Sequence, residues 1–153
     1  MTAALYVVHW PAHSVLKAGY SATQRWRGFE SRGGVVLLLA FYDNPMAALE
    51  AEGSAHEALR DRLDSAFVSG KEAQPLLGRH GAGWMECYRT GDAPRAVDML
   101  LSIAQVYAPM HCSSMGSTAM PRTNVRTVRT YASAEIDPSL QLGDARGRVR
   151  TTP

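Results

Sequence analysis

"LYVVHWPAHSVLKAGYSATQRW", residues 5–26, decides the fold, and the rest of the chain is read outward from it. An apolar run, a Pro-led break at Pro11–Ser14 and a second apolar run predict two antiparallel strands, 5–10 and 15–20. With that loop, Trp10 pairs with Val15 and Val8 with Lys17. Tyr6 and Lys17 then share one sheet face at diagonal positions, about 7–8 Å apart at Cα. "SATQ" (21–24) has the form of a capping box, which predicts a helix from Ser21 to about Ser31, ended by Gly33-Gly34. Two cations stand oddly here. Lys17 interrupts an apolar strand. Arg25 lies about 40° from Phe29 on the helical wheel, against about 160° for Arg27. A phosphate facing both would account for them.

Downstream, "VVLLLAFY" (35–42) is uniformly apolar and predicts a central strand buried on both faces. A helix is expected over 43–67, with Asn44 as its cap, Pro45 in its first turn and Ala55, Leu59, Leu63 and Phe67 as its stripe. Residues 68–81 are helix-like but interrupted by Pro75. "GWMECY" (83–88) is a strand candidate, and Pro94 opens a helix to about Tyr107. Trp84 reads as a core residue or an exposed base-stacking one. Beyond Pro109 only "NVRTVRTYA" (124–132) suggests a strand. The order predicts an α+β fold: a small, mostly antiparallel sheet with a β-β-α-β-α core, flanked by helices, then a C-terminal α/β appendage and a basic tail. The expected division is 1–109 as the domain and 110–153 as a Ser/Thr/Arg-rich, partly mobile tail.

On the long helix, geometry separates the acids. Glu52 falls about 20° from Leu59 and Leu63, Glu50 about 180° from Leu59, and His56 about 40° from Glu52. A carboxylate on a core-facing line needs a partner, either an arginine or a metal ion.

Composition narrows the function classes. The chain has 153 residues, is 46% hydrophobic and carries a net charge of +2. Residues 1–120 hold 10 Lys+Arg and 11 Asp+Glu, whereas 121–153 hold 6 Arg and 3 acids. The body is thus no general polyanion sponge, and nucleic-acid contact must come from local placement, with the tail adding diffuse attraction. No membrane span or secretory signal is expected. Two cysteines, Cys87 and Cys112, fit a reducing cytoplasmic setting.

"LYVV" (5–8), "KAG" (17–19), "RWRGF" (25–29), "EAEGSAH" (50–56) and the acid-aromatic "GWMECY" together resemble the GIY-YIG nuclease domain. The likeness is to its phage-type branch, with a KIG-like second motif and a glutamate followed four residues later by histidine. It covers roughly residues 4–90. It implies a DNA endonuclease that hydrolyses phosphodiester bonds with Mg²⁺ or Mn²⁺. On that likeness Tyr6 orients or deprotonates the water, and Lys17 stands where tyrosine is frequent in the family. Arg25 grips the scissile phosphate, with Arg27 as its rival, and Glu52 is the metal-binding carboxylate with His56 beside it. Arg27 and Arg32 are the expected substrate-binding cations. Whether Tyr6 or Lys17 is the base stays open. A domain this small has little surface to read a long site, so homodimerisation, the tail or a partner would supply specificity. The rival readings are an inactive DNA-binding module of the same fold and an interaction protein with no nucleic-acid role.

Overall fold

The computed structural model describes residues 3–78, 81–107 and 125–126. β1 (Ala3–Trp10) and β2 (Val15–Ser21) form the expected hairpin, joined by a 3-10 turn at Pro11–His13 and a left-handed Ser14. Trp10 pairs with Val15, Val8 with Lys17 and Tyr6 with Gly19, so Tyr6 and Lys17 are diagonal neighbours on one face. β3 (Val35–Tyr42), β4 (Cys87–Arg89) and β5 (Val125–Arg126) complete an antiparallel sheet of order β4-β2-β1-β3-β5.

Helices α1 (Arg27–Glu30), α2 (Pro45–Arg60), α3 (Gly70–Leu77) and α4 (Ala93–Val106) pack around the sheet. The chain is therefore α+β, with an antiparallel sheet flanked by helices. β4 extends the hairpin's own sheet and α4 packs on α2, so both share its core. Of the expected strand at 124–132, Val125–Arg126 pairs with Leu39 and Ala40. The remainder of the expected tail lies outside the described residues. Among the described residues no helix is long and apolar enough to cross a membrane.

Two cores sandwich the sheet. On one face, Leu5, Val7, Leu16 and Ala18 meet Ala48, Ala51, Ala55 and Leu59 of α2 and Val97, Leu100 and Ala104 of α4. The alanine row brings α2 close to the sheet. On the other face, Tyr6, Val8, Trp10 and Val15 meet Trp26, Phe29, Phe67, Leu76 and Leu77. Burial of this apolar surface from water is the main force holding both layers.

Several expectations shift. The fully buried central strand is β1, with β3 beside it and partly exposed at Val35, Leu39 and Phe41. A bulge leaves Leu37 unpaired between Leu38, opposite Val7, and Val36, opposite Val8, so Leu37 and Leu38 enter the same core. No capping box forms at Ser21. It ends β2, and its hydroxyl accepts from the N–H groups of Thr23 and Arg25. Gln24 then takes a left-handed φ of 59°, which delays the helix to Arg27. α2 stops at Arg60, so Leu63 and Phe67 lie beyond its stripe. α3 continues through Pro75, because that ring faces solvent, where the Lys71 carbonyl it leaves unbonded can meet water. "GWMECY" opens as a 3-10 turn at Trp84–Glu86 and becomes strand only at Cys87.

Candidate functional site

β4 is short, and this makes the site. It pairs with β2 only from Val15 to Lys17. Past Lys17, the outer edge of β2 has no strand partner among the described residues, and its backbone donors need another acceptor. Glu52 supplies one. It stands on α2 beside the Ala48/Ala51/Ala55 row, and its Oε1 accepts the Tyr20 N–H at 2.7 Å. Glu50, by contrast, points to solvent, as the helical angle requires.

One turn on, His56 is buried, with 7% of its surface exposed. Its Nδ1 lies 2.9 Å from the Tyr88 hydroxyl. Its Nε2 is buried without a hydrogen-bond partner and lies 3.8 Å from Glu52 Oε1. Burial pushes the Glu52 carboxyl up. The His56 ring, the Tyr20 N–H and the Lys17 charge outweigh it and hold the carboxyl below its ordinary value.

Lys17 is fully buried, and it does not face open space. Its ammonium donates to the Glu86 carboxylate and to the Gly83 carbonyl at 3.2 Å. Gly83 is left-handed, φ 80°, and a Cβ there would fall 2.8 Å from both Lys17 Nζ and Glu86 Oε2, so glycine leaves room for the pair. Glu86 precedes the first residue of β4, which pairs with Lys17, and this brings its carboxylate to the ammonium. Glu86 was not among the sequence-based candidates. A fully buried lysine needs an opposite charge, and the lone acid in "GWMECY" was the signal that could have found it.

Tyr6 lies on the same face, its ring against Trp26 (5.9 Å between centroids) and Phe29 (6.0 Å). It crosses Gly19, where a Cβ would fall 2.6 Å from the phenol carbon Cζ. The glycine of "KAG" thus opens the slot for this ring. Burial pushes the phenol well above its ordinary range. The Arg25 charge opposes that shift, while Glu86, Glu52 and the Cys87 thiol add to it. Tyr6 therefore feels the charges of Arg25, Glu52 and Glu86 together.

Glu52, His56 and Glu86 each present one ligand atom, all within 4.8 Å of one another, a group that could hold a metal ion. The orphaned, buried Nε2 supports that fit. In the tautomer whose Nδ1–H donates to the Tyr88 hydroxyl, the Nε2 lone pair is available as a ligand. The structure thus gathers Tyr6, Lys17, Glu52 and His56, and adds Glu86. Arg25 is exposed in the turn before α1, and its charge reaches the Tyr6 phenol. Arg27 and Arg32 are exposed in and after α1, with the Arg32 guanidinium donating to the Gly28 carbonyl. Trp84 is half-buried against the second core.

No family model, no curated protein and no solved structure matches this chain.

Proposed function

We propose that this protein is a metal-dependent endonuclease of GIY-YIG type that hydrolyses DNA phosphodiester bonds. One observation carries the reading. Side chains from a hairpin (Tyr6, Lys17), a helix (Glu52, His56) and a strand end (Glu86) converge, and a buried imidazole nitrogen among them has no hydrogen-bond partner. Such a mixture of carboxylates, imidazole, phenol and ammonium is costly to assemble in a small fold unless it serves chemistry.

A divalent cation held there would supply positive charge against the negative charge that builds on the phosphate oxygens. Two carboxylates and an imidazole suit Mn²⁺ better than Mg²⁺, because magnesium prefers all-oxygen surroundings. Arg25 then grips the phosphate from the open side, with its planar fork of donors. Arg27 and Arg32 hold the flanking backbone. Tyr6, kept a neutral phenol by burial, orients the attacking water by hydrogen bonding rather than accepting its proton.

Supercoiled plasmid incubated with the protein and Mn²⁺ should be nicked or linearised, and EDTA should stop the reaction. Glu52→Ala should cut at least about a hundredfold more slowly while still shifting duplex DNA in a gel. Cleavage by that variant at the parental rate would remove Glu52 from the mechanism. A gel shift with no cleavage by the parent would leave a DNA-binding module without turnover.

A further inference from the structure

Lys17 and the candidate metal group make rival claims on one side chain. Glu86 belongs to the set of three donors within 4.8 Å of one another, yet its carboxylate is held by the Lys17 ammonium. Lys17 is fully buried, whereas the Glu86 side chain is 40% exposed. The carboxylate is therefore the mobile partner and the ammonium the fixed one. Around Lys17, the sheet face offers Tyr6, Val8, Val15 and Cys87, none of which supplies an opposite charge, and the further acid that its charge reaches, Glu52, is itself one of the three donors. Two cations cannot both sit against Glu86 at close range without strong mutual repulsion in this part-buried setting.

We propose that Glu86 serves the two cations in turn. In the metal-free chain Lys17 holds the carboxylate and occupies the cation's place. A divalent ion on Glu52 and His56 takes Glu86 over, and the ammonium, staying in place, is uncovered for an anionic oxygen of the substrate to approach. Gly83, without a Cβ, leaves the space in which the exchange happens. Metal loading thus precedes and enables the engagement of Lys17 with phosphate. This rests on the reading that the three donors take a divalent cation.

The test measures Mn²⁺ binding to the full chain by titration calorimetry, with no DNA present. Lys17→Met removes the competitor and keeps the apolar length, so Mn²⁺ should bind about tenfold more tightly than to the parent. Glu86→Gln should weaken binding in both backgrounds. Unchanged or weaker binding in Lys17→Met, with Glu86→Gln still weakening it, would overturn the exchange and leave the metal site standing. No Mn²⁺ binding by parent or variant at millimolar concentration would remove the metal site itself, and the exchange with it. Crystals of the unaltered chain grown with and without Mn²⁺ give a second readout independent of the variant's folding. The Lys17–Glu86 contact should be lost when the ion is bound. An intact contact beside a bound ion would overturn the proposal.

Discussion

Glu52 is pulled both ways by its surroundings, and the balance is measurable. Burial raises its carboxyl, while His56, the Tyr20 N–H and Lys17 lower it to below the ordinary value of 4.5. A folded value beneath the unfolded one means that the ionised side chain stabilises the fold above about pH 4.5. That stabilisation is lost as pH falls through the folded value. Glu52→Gln keeps an acceptor for the Tyr20 N–H but cannot ionise. The parent's melting temperature should therefore fall more steeply than the variant's between about pH 5 and 3; parallel curves would show that the ionised form contributes nothing. His9, whose imidazole is lowered by burial, also destabilises the fold in acid, but it is present in both chains and cancels in the difference. This residue was legible from sequence, because a helical angle is enough to separate Glu52 from Glu50. Glu86 was not, because its role depends on the register between two strands far apart in the chain. Lys17 was only half legible. Its burial in a strand was evident, but the charge that answers it is a carboxylate of the chain itself.

At the level of elements, the hairpin's register was legible to the residue, since loop length and alternation fix it. The ends of the helices were not. Ser21 has the side chain of a cap, but its hydroxyl gathers two N–H groups within a turn, a choice set by where β2 ends. The β3 bulge left no trace in "VVLLLAFY", because eight apolar residues look alike in either register. α4 was legible through Pro94, but its anchor was not. The Tyr42 hydroxyl, from β3, donates to the Ala104 carbonyl at 2.9 Å, one of the carbonyls left without an intrahelical partner near the end of α4. Burial raises this phenol to about 12, so it stays a donor throughout the ordinary pH range. Tyr42→Phe keeps the ring and orphans the carbonyl. It should cost about 1–3 kcal/mol in urea unfolding; an unchanged midpoint would mean that another donor reaches Ala104.

Over the whole molecule, the decisive quantity is where positive charge sits. The net charge of +2 arises from a body at −1 and a C-terminal stretch at +3, so the proposed DNA binding has two candidate modes. In one, the Arg-rich stretch would attract DNA diffusely. In the other, Arg25, Arg27 and Arg32 would grip phosphates from the segment that covers the Trp26/Phe29 face, beside the Tyr6 phenol. Salt separates the two modes, because each neutralised phosphate releases counterions and steepens the fall of affinity with salt by about 0.9 on a log–log plot. Replacing all three arginines by glutamine should lower that slope by about 2.7 if each holds a phosphate. The measurement is fluorescence anisotropy of a labelled duplex between about 50 and 300 mM salt, in EDTA so that no cutting intervenes. Single variants should divide the effect, and Arg25→Gln should also slow metal-supported cleavage more than Arg27→Gln, because Arg25 is the arginine whose charge reaches the phenol. A slope unchanged in the triple variant would assign DNA binding to other cations and leave Arg25 without a phosphate to hold.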